Sequence, residues 1–202
     1  MDMRRADPDS PTKQRLLEAA EELMLSRGYT ATSVDEVCAT AGLTKGSFFH
    51  YFEGKEDLGR SVAERYYASW RQLSQSARFR EKKDPLERVF GAIDFFVEMS
   101  RSPAWKGCLL GTFVQELAES HPQIRLVCAT CLADLARSLA QDLEEAKKKY
   151  APRARWSPLS LAEHLIAVAQ GATILAKAKQ DHKAFEEGLE HAKEYLKRLF
   201  ER

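Results

Sequence analysis

The residues of this chain best suited to meeting a partner lie between Thr44 and Lys55, in the run TKGSFFHYFEGK. Thr44, Ser47 and Tyr51 bring hydroxyls, His50 a ring nitrogen, Lys45 and Lys55 positive charge, and Gly46 removes a side chain among them. This is the equipment for a polyanion with readable edges. A lysine donates to guanine O6 and N7, a serine to several base edges, and an aromatic edge meets a thymine methyl. Gly46 allows close approach of the backbone. A helix that starts at Thr44 presents free backbone N–H groups beside the threonine hydroxyl, an end that suits phosphates.

Two short helices are needed to hold these groups. Ser33 accepts from the backbone three residues on while Glu36 reaches back, a capping box that opens the first helix. Val34, Val37 and Ala41 then recur on one face. Gly42 ends the helix, because a residue without a Cβ takes the left-handed conformation at no steric cost. Leu43 anchors the turn, and Thr44 caps the second helix. Phe48 and Phe52 are expected to face inward as core. His50 fits either a phosphate donor or a packed ring. The outline is a helix-turn-helix.

The run Thr32-Ser33-Val34-Asp35-Glu36-Val37, then Ala41-Gly42-Leu43-Thr44-Lys45-Gly46-Ser47-Phe48-Phe49-His50-Tyr51-Phe52, then Lys55-Glu56-Asp57-Leu58, strongly resembles the DNA-binding domain of the TetR family of bacterial transcriptional regulators. The match is dense over Arg15 to Leu58; beyond that, the likeness is one of architecture. The resemblance implies a dimer that places two recognition helices in successive major grooves of a near-palindromic operator, and repression until a small molecule binds. It puts Lys45, Gly46 and Ser47 at base edges with Phe49 and His50 flanking them. Tyr51 and Lys55 fall where phosphates are gripped, and Ser33 and Thr44 complete the DNA-facing set.

Composition adds bounds. A chain of 202 residues, 44% hydrophobic and 30% charged, is long enough for a sizeable core in one large or two small domains. Its net charge of +1 exerts no global pull on nucleic acid. Residues 1–55 hold seven Lys and Arg (Arg4, Arg5, Lys13, Arg15, Arg27, Lys45, Lys55) against nine Asp and Glu, so affinity for DNA rests on where the few cations sit. The first ten residues lack the apolar core of a signal peptide and no stretch reads as a membrane span, so a cytoplasmic protein is expected, with its four cysteines as thiols.

The periodicity predicts an all-α chain of about nine to ten helices: a three-helix head over 12–55 and an antiparallel bundle over 56–202 for effector binding and dimerisation. Residues 1–11, with Arg4 and Arg5, read as a flexible arm. Helices are expected over about 12–27, 55–76, 84–100, 112–119, 122–150, 161–180 and 183–200, with a charged connector at 78–83 and a bend over 102–111. Ser160 and Glu163 read as a second capping box. The two long helices are each apolar on two faces. Leu161, Leu165, Val168, Ala172 and Leu175 form one face of the later helix. Two faces need two partners: the second face, with Val127, Cys131, Leu135 and Leu139 on one helix and Ala167, Gly171, Ile174 and Ala178 on the other, is assigned to a copy of the chain across a two-fold axis.

Trp70, Phe96, Met99, Trp105, Cys108 and Phe113 come from consecutive elements and are the candidate lining for a mostly apolar effector. Cys128 and Cys131, one helical turn apart, lack a second pair or a nearby histidine to complete a metal site, so no metal and no cofactor is expected. Thiol-based redox sensing through them is an alternative. No HExxH, P-loop or GxSxG is present, and His121 and His164 stand without an evident partner, so no enzyme activity is expected. A helical adaptor that does not bind DNA is the other competing reading, suggested by the acidic head and opposed by the polar edge at Thr44, Lys45 and Ser47.

Overall fold

The computed structural model describes residues 10–200, and among them it holds helices and no strand. In chain order these are α1 (Pro11–Arg27), α2 (Val34–Ala41), α3 (Lys45–Tyr51), α4 (Lys55–Gln75), a 3-10 turn (Arg78–Glu81), α5 (Pro85–Ser100), α6 (Leu109–Leu117), α7 (Pro122–Tyr150), α8 (Pro158–Lys179) and α9 (Lys183–Phe200). Most of the arm expected over 1–11, including Arg4 and Arg5, lies outside the described residues. Pro11 already belongs to α1, where its fixed φ and missing N–H suit the first turn.

The chain divides into two packing units. The first comprises the chain up to Ser69 together with Cys108–Cys131, so α4 as far as Ser69, α6 and the start of α7 pack with the head, beyond residue 55. Its core holds Leu16, Met24, Phe48, Phe52, Leu58, Phe113 and Leu117, all essentially without exposure. Arg65 fastens α4 to α1 by pairing with Glu21 (2.5 Å) and Glu18 (3.1 Å). The second unit comprises Trp70–Gly107 and the chain from Leu132 onward. There α5 and α7–α9 bury Val89, Ile93, Leu143, Leu165, Phe185, Leu189 and Leu196. Asp142 of α7, buried, accepts from Arg80 (3.0 Å) and Arg88 (2.7 Å), so its charge is paired on two sides.

Four local expectations need correction. The connector over 78–83 is not merely charged: it forms the 3-10 turn, and Phe79 plugs it into the core. The bend over 102–111 is shorter than expected, because α6 starts at Leu109, and Leu109 and Leu110 are buried. The capping box at Ser160 and Glu163 does not form. Ser157 caps α8 instead, accepting from Ser160 N (3.4 Å), with Pro158 in the first turn, so the helix begins earlier. Leu175 leaves the face assigned to it: Ala176 continues the buried stripe of Leu161, Leu165 and Ala172, while Leu175 joins Gly171 one turn back on the exposed face.

That exposed face also bears on the membrane question. By length and composition alone α8 is apolar enough to cross a bilayer, although no such stretch is expected from the sequence. A helix with one face in the core and another for a partner has the same composition.

Candidate nucleic-acid interface

The turn between α2 and α3 is built as its residues require. Ser33 N donates to Glu36 Oε2 (2.8 Å) and Glu36 N donates to Ser33 Oγ (3.2 Å), the reciprocal capping box. Gly42 sits at φ 62° and ψ 39°, left-handed, and Leu43 N donates to Cys38 O (2.9 Å) to close the helix end. Thr44 Oγ1 accepts from Ser47 N (3.2 Å) and opens α3. The Cys38 thiol donates to Thr44 O (3.7 Å) from below, and burial pushes it above its ordinary value.

Helix α3 has two faces. Phe48 and Phe52 are buried and packed on each other (centroids 5.5 Å), as expected. Thr44, Lys45, Gly46, Phe49 and His50 are exposed, Phe49 with 59% of its surface. His50 is therefore not a core ring; it packs at a steep angle against the Tyr51 ring (4.7 Å). Burying Phe48 contributes on the order of 2–3 kcal/mol and holds the polar face outward.

The cations of the head are engaged with its own groups. Lys45 pairs with Asp35 of α2 (2.7 Å), an exposed pair that holds its ammonium above the ordinary range through that hydrogen bond and charge. Such a surface pair exchanges readily for a phosphate or a base. Arg27 pairs with Glu36 (2.9 Å), and Tyr51 Oη and Ser10 Oγ share a hydrogen bond (2.7 Å). Lys55, expected to face phosphate, turns inward: its Nζ donates to Thr30 O (3.3 Å) and lies 4.2 Å from the centroid of the Tyr29 ring, and burial lowers its pKa.

The other assigned residues are placed as follows. Trp70 stacks on Phe96 (5.5 Å, 21°), and Trp105 leans on Phe185 (5.1 Å); with Met99 they belong to the second unit. Cys108, half-buried at the N-cap of α6, and Phe113, fully buried against Tyr29 (5.9 Å), belong to the first. Ala167, Gly171, Ile174 and Ala178 are all exposed along α8, whereas Val127, Leu135 and Leu139 of α7 are partly covered and Cys131 is buried within the chain. Among the described residues no cluster of His, Cys, Asp and Glu is arranged to hold a metal.

Tyr29 and Glu116 belong to this surface without any motif that marks them in the sequence. Glu116 Oε2 and Oε1 accept from Tyr29 N (2.9 Å) and Thr30 N (2.7 Å) in the α1–α2 turn. These partners are more than eighty residues apart, and no local pattern links them. A tyrosine placed directly after the stop at Gly28 is the one local hint.

The comparisons agree with this geometry. Residues 16–62 match the family model for bacterial regulatory proteins of the tetR family, and residues 85–192 match that for the tetracyclin repressor-like C-terminal domain. The transcriptional regulator AcuR of Cereibacter sphaeroides is 32% identical over 175 residues, 86% of this chain and 80% of that protein. Among solved structures, a regulatory protein TetR from Rhodobacter sphaeroides superposes with a TM-score of 0.84 at 27% identity, covering 95% of this chain and all of that one. Escherichia coli NemR in its reduced form superposes with a TM-score of 0.79 at 27% identity, over 92% of this chain and 96% of that one. With both segments matched and the helix-turn-helix formed as described, the chain belongs to the TetR family of bacterial transcriptional regulators.

Proposed function

We propose that this regulator binds a palindromic operator as a homodimer, acts as a repressor in the cytoplasm, and is released by a small, mostly apolar effector. It is a DNA-binding regulator and not an enzyme. The observation that carries the operator reading is α3, a short helix pinned by Phe48 and Phe52 with Thr44, Lys45, Gly46, Phe49 and His50 exposed on the other side. In this reading Lys45, Gly46 and Ser47 meet base edges with Phe49 and His50 flanking them, while Ser33, Thr44 and Tyr51 position the backbone. Residues 12–55 do the reading, and residues 56–202 carry dimerisation and effector binding.

The apolar face Ala167, Gly171, Ile174, Leu175 and Ala178 supports the dimer, because soluble proteins rarely leave such a strip uncovered. Two heads about 34–36 Å apart then meet successive major grooves. The effector acts by preferring a state in which that spacing is wrong. Trp70, Phe96, Met99 and Trp105, with Cys108 and Phe113, are the residues assigned to it.

The test is selection of duplexes from a random pool, then anisotropy titration of the enriched duplex with native protein and with Lys45→Ala. The proposal expects affinity to fall steeply with salt, as phosphate contacts release counterions, and Lys45→Ala to weaken binding and relax the preferred sequence. Equal affinity for enriched and scrambled duplexes would refute it.

A further inference from the structure

Tyr29 and Thr30, in the turn between α1 and α2, sit at the meeting point of three other elements of the first unit. From α6, Glu116 takes both of their backbone N–H groups. From α4, Lys55 takes the Thr30 carbonyl and covers the Tyr29 ring. From the start of α7, the His121 ring packs edge-on against Tyr29 (5.0 Å). Thr32 then closes the turn onto Gly28 O (2.8 Å), and Ser33 caps α2 immediately after it.

Two glycines leave the room this arrangement occupies. A Cβ on Gly28, whose φ is +90°, would lie 2.9 Å from Glu116 Oε2, and one on Gly59 would lie 2.8 Å from the Tyr29 ring. Burial alone would push the Glu116 carboxyl up, but the hydrogen bonds from Thr30 and Tyr29 and the charge of Lys55 outweigh it and hold the carboxyl below its ordinary range. The ionised form is the one that fits.

We propose that Glu116, on α6 and outside the three-helix head, is a positioning residue of the DNA-binding surface: its carboxylate clamps the α1–α2 turn and thereby sets the start of α2, against which α3 is held. This rests on the operator reading above. Glu116 touches no DNA. It acts through the turn. Lys55 shares the clamp, so in the DNA-free protein it is a member of this cluster rather than a free cation.

The experiment uses the full chain and the enriched duplex, with Glu116→Gln, Glu116→Ala, Lys55→Met and the Glu116→Gln/Lys55→Met double variant, read by anisotropy. Loss of the charge-assisted pair of bonds predicts about a tenfold loss of affinity in Glu116→Ala and less in Glu116→Gln, which keeps one acceptor oxygen. The double variant should lose less than the product of the two single factors, because both side chains act on one turn. Independent destabilisation would multiply instead. Native-state amide exchange without DNA provides a second reading: Tyr29 and Thr30 should exchange faster in Glu116→Ala while amides of the α9 core do not. Wild-type affinity in both Glu116 variants, or factors that multiply, would overturn the proposal. If the wild-type chain enriched no duplex, the operator reading would fail separately, and unchanged exchange at Tyr29 and Thr30 would then sink the clamp as well.

Discussion

Replacing Gly171 with glutamine separates an exposed helix face from a dimer interface. Among the described residues of one chain, nothing outside the helix's own backbone lies within 4 Å of a Cβ built at Gly171. If solvent covers this face, glutamine is the better helix former and should stabilise α8 by roughly 0.5 kcal/mol. A copy of the chain reverses the sign. Ile174 and Leu175 leave 48% and 53% of their surface exposed, and burying the remaining half of each contributes about 1 kcal/mol, or ~4 kcal/mol over two symmetric chains. A glutamine at the point of closest approach acts as overpacking, costing about 1–3 kcal/mol per copy and at least ~2 kcal/mol for the dimer, so its dissociation constant should rise about thirtyfold or more. Sedimentation velocity over a dilution series reads this directly. A variant that stays dimeric with unchanged dissociation and a slightly higher melting temperature would refute the α8 interface.

Three further outcomes follow from the geometry. Asp84 caps α5 and accepts from Lys149 and Tyr150; burial raises its carboxyl, but those hydrogen bonds outweigh it and place it well below the ordinary range. Its stabilisation is therefore present above about pH 4 and lost as pH falls, and Asp84→Asn, which keeps the cap, should show a smaller drop in urea midpoint between pH 5 and 3 than the wild type; equal drops would contradict the pairing. Under native maleimide labelling with peptide mass mapping, half-buried Cys108 should react first, because Cys38, Cys128 and Cys131 are buried and burial pushes the Cys128 thiol up to about 12; early labelling of Cys128 would reopen redox sensing through that pair. Phe48→Ala should destabilise the chain by about 3–5 kcal/mol in urea unfolding, the cost of an emptied aromatic core site, and a loss under 1 kcal/mol would show that α3 is not pinned by that ring.

The head was legible because its signals are local. Ser33 with Glu36, Gly42 and Thr44 each act within one helical turn, and all three behave as their residue types require. The long helices Pro122–Tyr150 and Lys183–Phe200 were readable from sustained periodicity. What escaped is non-local or competitive. Ser157 and Ser160 are both acceptable caps, and the proline beside Ser157 decided between them. The inward turn of Lys55 depends on Tyr29 and Thr30, two helices away in sequence. The grip of Glu116 on the same turn depends on chain topology. Leu175 stands at the border of an apolar stripe, where a residue can fall to either side, and Ala176 holds the buried position next to it.

Operator binding as proposed requires two copies of α3 to read two half-sites on one duplex. Hydroxyl-radical footprinting of the enriched duplex, with stoichiometry measured on the same complex, tests it most directly. Protection of two symmetric patches about one helical turn apart, at two chains per duplex and lost in Lys45→Ala, is the predicted result. A single protected patch, or diffuse protection that Lys45→Ala leaves unchanged, would contradict it.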